Sequence, residues 1–345
     1  MSGALSAALK SLSLGRIPTE SDLIAAFDAL MEGQAHPAEI GAFLMGLSVL
    51  GETPEALVIG AKAMRARMNA VKAPEGAVDT CGTGGDAHGT YNISTAAALV
   101  AAGAGAVVAK HGNKAASSKS GSAEVLSELG INIFATQPTV EQALIEARVG
   151  FLFAPAHHSA VRHVGEARKA MGVRTIFNLL GPLSNPAHAP FQLLGVFDRR
   201  WLVPMAEALR ALGSQRAWIV HGEDGLDELS TTGPSLICEL HPDGRIEERV
   251  LMPESLGLVR AHMNDLKGGT PQDNAVALKA LLRGETGAYR DIVLLNAAAA
   301  LVVSGHCEDL HEGLVLATRS IDEGRAQNAL NTLVRLTQAD TRHSL

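Results

Sequence analysis

Between residues 77 and 251, short apolar runs recur between loop-like and helix-like stretches, and this alternation constrains the fold more than any other feature of the chain. The runs at 106–109, 150–154, 191–197 and 217–220 are too short for ordinary helices and suit buried strands. Helical patterns lie around 94–103, 122–129 and 139–147, with another near 202–212. Strands alternating with helices predict a mostly parallel central sheet flanked by helices. Residues 236–240 and 246–251 flank Pro242-Asp243-Gly244 and predict a β-hairpin appended to that sheet.

The first 70 residues read as helices only. Thr19 with Asp22 three positions on resembles a capping box, and Leu23, Phe27, Leu30 and Met31 form one apolar face. Pro37 and Pro54 each sit in the first turn of a further helix. Three short helices bury little surface alone, so they predict a module that docks on the rest of the chain or on a second subunit. The last third returns to helical periodicity at 272–282, 289–304 and 311–320. The expected division is a helical domain over 1–75 and an α/β domain over 76–345, with a soft boundary because no low-complexity linker separates them.

Polar chemistry is concentrated in one stretch, 79–122. Its first loop carries Gly82, Thr83, Gly84, Gly85 and Asp86, then Thr90, Asn92, Ser94 and Thr95. Its second carries Lys110, His111, Gly112, Asn113 and Lys114, then Ser117, Ser118, Ser120 and Ser122. Glycines let backbone N–H groups approach an anion, hydroxyls and lysine add donors, and helix N-termini favour negative charge. A single Gly-rich loop is more often a tight turn. The first loop also lacks the third glycine of a dinucleotide fingerprint, and the second lacks Walker A spacing. Two such loops together point to a double phosphate cradle.

Glu223, Asp224, Asp227 and Glu228 follow the strand ending at Val220. Most charge runs are solvated loops. However, ligands of open α/β sheets bind at the carboxyl ends of strands, and Mg²⁺ takes one or two carboxylates together with substrate phosphates. The third cluster spans 156–186, with His157, His158, Arg162, His163, Arg168, Lys169 and Arg174. No zinc-ligand spacing accompanies the histidines. The arginines read either as structural ion-pairing groups or as a bidentate carboxylate clamp. Residues 110–174 hold eight Lys/Arg against five Asp/Glu inside a chain of net charge −7, a local contrast that suits an anionic small substrate.

The same net charge, with aromatics at 3%, argues against a general nucleic-acid binder. Cys81, Cys238 and Cys307 are widely spaced and fit a reducing, cytoplasmic compartment rather than a disulfide framework. The first sixteen residues have no signal-peptide pattern, and the small-apolar run 96–109 is too short to span a membrane.

Taken together, the blocks at 82–95, 110–122, 157–186, 224–228 (DGLDE) and 268–275 (GGTPQDNA) resemble the anthranilate phosphoribosyltransferase family, in order, over about 200 residues. The resemblance implies a fold similar to pyrimidine nucleoside phosphorylases. It also implies a homodimer formed through the helical domain, which a segment near 165–185 completes. The implied reaction is transfer of phosphoribose from 5-phosphoribosyl 1-pyrophosphate (PRPP) to the amine of anthranilate, in the second step of tryptophan biosynthesis. By motif, Gly82, Gly85, Asp86, Thr90, Asn92, Ile93, Ser94, Thr95, Lys110, His111, Gly112, Asn113, Lys114, Ala115, Ala116, Ser117, Ser118 and Ser122 would hold PRPP. Ser94, Asp227 and Glu228 would hold two Mg²⁺ ions per subunit, and Gly82, Asn113, His158 and Arg168 would meet anthranilate. No residue is implied as a general acid or base.

The chain departs from the family pattern at Tyr91, Ser159, Val161 and the pair Glu166-Ala167, all neighbours of implied ligands. Two rivals stand at this point. A pyrimidine nucleoside phosphorylase of the same fold lacks a reason for the DGLDE carboxylates. A non-catalytic nucleic-acid-binding relative lacks the required basic surface.

Overall fold

The computed structural model describes residues 3–85, 88–115 and 119–341. The chain opens with four helices, α1 (Gly3–Ser13), α2 (Glu20–Met31), α3 (Pro37–Leu50) and α4 (Pro54–Arg65). Thr19 accepts the Asp22 amide at the start of α2, while Pro37 and Pro54 occupy the first turns of α3 and α4. The sequence periodicity flagged α2–α4 but not α1, whose serines dilute its apolar stripe. Its Leu5 and Ala8 are nevertheless fully buried.

The sheet then builds through β1 (Val78–Gly82), α5 (Ile93–Gly103), β2 (Val108–Gly112), α6 (Ser122–Glu128), α7 (Gln137–Glu146) and β3 (Val149–Phe153). Next come α8 (Ala154–His157), α9 (Arg162–Met171) and α10 (Phe177–Leu180), then β4 (Phe191–Gly195), α11 (Leu202–Ala211) and β5 (Arg216–Gly222). The hairpin β6 (Ser235–Leu240) and β7 (Ile246–Leu251) precedes α12 (Pro271–Leu282), α13 (Ala288–Val303), α14 (Leu310–Asp322) and α15 (Arg325–Thr341).

Among the described residues, seven strands lie in the order β3-β2-β1-β4-β5-β6-β7. Pairs among β1–β5 are parallel, and the hairpin adds two antiparallel strands at one edge. Strand β1 was not legible as an apolar run because Asp79 and Thr80 are polar and yet buried. Successive strand residues face opposite sides, so the core divides in two. Val78, Leu193, Trp218 and Val220 pack under α5 and α13, whereas Leu194, Ala217 and Ile219 face α11 and the helical module.

Small residues allow close helix packing beneath the sheet. Ala297–Ala300 of α13 are fully buried, and a Cβ on Gly313 would lie 2.9 Å from Ala298. The helical module also takes in chain from beyond residue 160. Phe27 meets Phe177 edge-on at 6.4 Å, and Arg65 Nε donates to the Leu183 carbonyl at 2.8 Å. Among the described residues, no helix is long and apolar enough to cross a membrane.

Candidate active site

The chain runs from β1 to β2 and β3 on one side, then returns to β4 and β5 on the other. This leaves a crevice at the carboxyl ends of β1 and β4, where the direction of winding reverses. The paired strands end on register partners Gly82 and Gly195. Both lack a side chain for a reason: a Cβ on Gly82 would overlap the Asp227 carboxylate, and one on Gly195 would overlap the Asp227 carbonyl. The acidic loop therefore sits directly on the end of the strand pair.

The first loop leaves β1 through two left-handed glycines, Gly84 (φ +67°) and Gly85 (φ +82°). Thr83 is fixed on both sides, its amide donating to Gly195 O at 2.9 Å and its hydroxyl accepting from Phe197 N at 3.0 Å. The Gly84 amide donates to Asp227 Oδ2 at 2.7 Å. Arg174 donates to the Gly85 carbonyl and lies over the Phe197 ring, 3.9 Å from its centroid. Thr90 pairs with Lys267, and Asn92 precedes α5, which opens on Ile93, Ser94 and Thr95. Asp86 lies outside the described residues.

The second loop leaves β2, where Lys110 is buried and its ammonium donates to Thr80 O and to Ser94 Oγ at 3.3 Å. Its pKa is lowered by burial, which the nearby Asp79, Glu228 and Asp227 partly offset. Burial pushes the Asp79 carboxyl up to about 6, against the attraction of the Lys110 ammonium and the bond from the His111 amide. The Asp79 Oδ1 contact with that amide is 3.1 Å. Beyond Gly112, the Asn113 carboxamide oxygen accepts the Lys114 amide at 2.7 Å and the Ser122 hydroxyl donates to Asn113 O at 3.1 Å. Glu124 ties the base of the loop by accepting from Ala115 N at 3.2 Å and Gly121 N at 3.1 Å. Ala116, Ser117 and Ser118 lie outside the described residues.

The four acids after β5 separate into two roles. Asp224 accepts from the Ser230 and Thr232 hydroxyls and from Leu226 N at 3.1 Å, closing its own loop. Glu228 instead accepts the Ser94 amide at 3.1 Å, and Asp227 accepts that of Gly84. Asn296, fully buried on α13, braces this loop from below. It accepts Leu229 N at 3.0 Å and donates to Leu229 O at 2.8 Å. No sequence motif pointed to Asn296; an asparagine in an alanine-rich helix was the only signal.

Among the described residues, no three His, Cys, Asp or Glu side chains gather as a metal cluster. A different donor set is present: two carboxylates beside the Ser94 hydroxyl, all oxygen, at the mouth of a phosphate-type loop. That set fits Mg²⁺, which binds through few carboxylates and completes its shell with water and phosphate.

On the other side of the second loop, His158 lies 5.1 Å from His111, ring centroid to centroid. Burial and the adjacent His157 hold His158 down to about 4. Its ring nitrogens lack a hydrogen-bond partner of ordinary geometry. His111 is likewise kept neutral by burial, with Nδ1 3.1 Å from Gly181 O, and His157 Nδ1 sits 2.8 Å from Asn69 O. Arg168, in the last turn of α9, lies 5.2 Å from the Phe177 ring centroid and makes no ion pair with another described residue. The structure brings Gly84, Ser94, Lys110, Asp227 and Glu228 together through hydrogen bonds, with Gly82 packed directly against Asp227. It joins His158 to His111, and no hydrogen bond links Arg168 to either group.

Comparison with known proteins follows the same division. Residues 74–327 match the family described as "Glycosyl transferase family, a/b domain", and residues 6–68 match "Glycosyl transferase family, helical bundle domain". The anthranilate phosphoribosyltransferase of Maricaulis maris is 57% identical over 96% of this chain and 98% of that protein. The enzyme of the same name from Methylocella silvestris is 53% identical over 99% of this chain and 97% of its own length. Among solved structures, anthranilate phosphoribosyltransferase from Thermus thermophilus superposes with a TM-score of 0.91 at 43% identity, covering 96% of this chain and 99% of that one. The Saccharomyces cerevisiae enzyme in complex with PRPP and Mg superposes with a TM-score of 0.89 at 29% identity, covering 98% and 99%. By sequence, domain composition and fold, this chain belongs to the anthranilate phosphoribosyltransferase family.

Proposed function

We propose that the crevice between β1 and β4 is where this enzyme transfers phosphoribose from PRPP to the amine of anthranilate, and that its walls divide the work. The observation that carries the assignment is the closure of Asp227 and Glu228 onto the backbone amides of Gly84 and Ser94, with the buried Lys110 ammonium on the Ser94 hydroxyl. Gly82, Gly85, Asp86, Thr90 and the start of α5 (Asn92, Ile93, Ser94, Thr95) hold the phosphates of PRPP. Lys110, the 111–118 loop and Ser122 close over its phosphoribosyl part. Two structures of the Saccharomyces cerevisiae enzyme support this reading, one in complex with PRPP and Mg and one with 4-fluoroanthranilate.

Ser94, Asp227 and Glu228 hold Mg²⁺, as two ions per subunit. Bound there, Mg²⁺ supplies positive charge opposite the departing pyrophosphate. The backbone N–H groups of the glycine loop and the N-terminus of α5 stabilise the same developing charge without reorganising. The C1–O bond breaks largely before the amine attacks, which gives the sugar oxocarbenium character. Gly82, Asn113 and His158 flank the acceptor, and the Arg168 guanidinium takes its carboxylate. The aromatic amine is already neutral at pH 7, so no strong general base is required, and positioning supplies the rest. A neutral His158 fits this role because it adds no charge that would compete for the carboxylate.

The working unit is a homodimer formed through the helical module, where Leu14, Ile17, Ile24, Met45 and Val49 are exposed. Three buried free thiols, Cys81, Cys238 and Cys307, support a reducing, cytoplasmic setting. The helical domain spans 1–75, completed by about 165–185, and the catalytic domain spans 76–345.

Anthranilate fluorescence tests the assignment. It should decay when protein, PRPP and Mg²⁺ are combined, and persist when EDTA is added. Undiminished fluorescence in the complete mixture, alongside phosphorolysis of thymidine, would overturn it.

A further inference from the structure

The GGTPQDNA segment has no part in the chemistry above, yet it and the two residues before it pack against the first loop. Tyr91 donates its amide to Leu266 O at 3.0 Å, Gly268 donates to Gly89 O at 2.9 Å, and Thr90 bridges Lys267 in antiparallel fashion. Gly268 has no room for a side chain, because a Cβ would lie 2.7 Å from both Thr90 O and Asn274 Oδ1. Tyr289 stacks on Tyr91 at 4.4 Å between centroids. Thr270 and Asp273 then form a reciprocal cap at the start of α12, which delivers Asn274, 1% exposed, in the first turn.

Both ends of the Asn274 amide are committed. Oδ1 accepts the Gly269 amide at 2.8 Å, and Nδ2 donates to Asn92 Oδ1 at 2.9 Å. A backbone N–H can only donate, so Gly269 fixes which end of Asn274 faces Asn92. Asn92 is oriented in turn: with its oxygen toward Asn274, its own NH₂ donates to Ser120 O at 3.2 Å, and the Ser120 hydroxyl donates back to Asn92 Oδ1 at 3.2 Å. Hydrogen-bond polarity thus passes from a backbone amide through two side-chain amides to the second loop.

We propose that Asn274 is a positioning residue for PRPP. Through Asn92 it locks the first loop to Ser120 of the second, so that both phosphate-binding loops are held in register before substrate arrives. This rests on the assignment of both loops to PRPP. Asn274 is buried and acts through Asn92.

The test replaces Asn274 by Asp, which keeps its shape but turns an acceptor toward Asn92 Oδ1. Asn92 must then turn over and present its oxygen to Ser120 O. The KM for PRPP should rise about tenfold, the worth of one buried polar mismatch. The KM for anthranilate at saturating PRPP should stay within about twofold, because Asn113, His158 and Arg168 lie outside the relay. Ser120→Ala, at the loop end of the relay, should raise the PRPP KM about threefold, and the double variant should do no more than Asn274→Asp alone.

An unchanged PRPP KM in either variant would overturn the proposal. So would additive effects, or a parallel loss of both KM values, kcat and Tm. Should Asn274→Asp not fold, Ser120→Ala decides by its KM split. Thermal protection of the unaltered protein by PRPP with Mg²⁺ is measured separately. Its absence would remove the loop assignment itself, and the relay with it.

Discussion

Gly84 donates its backbone amide to Oδ2 of Asp227 at 2.7 Å, across 143 residues of chain. This bond brings the acidic loop after β5 onto the glycine loop after β1. It is possible because Asp227 rests on Gly82 and Gly195, where no Cβ intervenes.

Gly195→Ala should therefore harm catalysis as well as folding. The new methyl would overlap the Asp227 backbone, and overpacking of this kind costs about 1–3 kcal/mol. Displacing the carboxylates by about 1 Å should lower kcat/KM by about 100-fold. Steady-state kinetics beside a circular-dichroism melt measure both effects, and near-normal kcat/KM would refute the close-packing argument.

Arg168→Ala should act on one substrate. Loss of a charge-assisted bond costs about 2–3 kcal/mol, which is roughly a 30- to 150-fold rise in the KM for anthranilate. The KM for PRPP should hardly move. An equal rise in both would show that Arg168 supports α9 and its packing against Phe177 rather than the acceptor.

Arg174 joins the Gly85 carbonyl to the Phe197 ring, so Arg174→Ala frees the crest of the first loop. The expected result is a rise of about three- to tenfold in the KM for PRPP. Arg174→Lys should restore little of it, since an ammonium cannot both stack as a plane and donate sideways. Full rescue by lysine would contradict the geometry.

Acidification should destabilise the protein through its buried histidines. In the unfolded chain these bind protons as pH falls through about 6.5, whereas folded His158 resists protonation until about 4. His111 and His157 are depressed in the same direction. Their contribution is full above pH 6.5 and is lost as pH falls, at up to about 1.4 kcal/mol per pH unit per group. Asp79 opposes this, because its carboxyl, raised to about 6, favours the folded state more as pH drops. Three groups outweigh one, so Tm should fall from pH 7 to pH 4.5, and His158→Gln should flatten the slope. A flat profile for the unaltered protein would refute this balance.

The sequence alone determined the alternation that builds a parallel sheet, the helical character of the first 70 residues and the residue types of the two loops. These are local properties, set by periodicity, glycine and caps. By residue type and spacing it could not rank Asp224 against Asp227, since both lie in one acidic run, and the family resemblance alone set Asp227 apart. Only the fold turns Asp224 back on Ser230 and aims Asp227 at Gly84. Nor could it show β1 as an apolar run, because the burial of Asp79 and Thr80 depends on Lys110 and His111 from the neighbouring strand. Asn296 was silent for the same reason, and Asn274 stood in the GGTPQDNA block without a role. A buried amide acquires its role from partners in distant segments, here Asn92 and Leu229, and contacts of that range exist only once the sheet has closed.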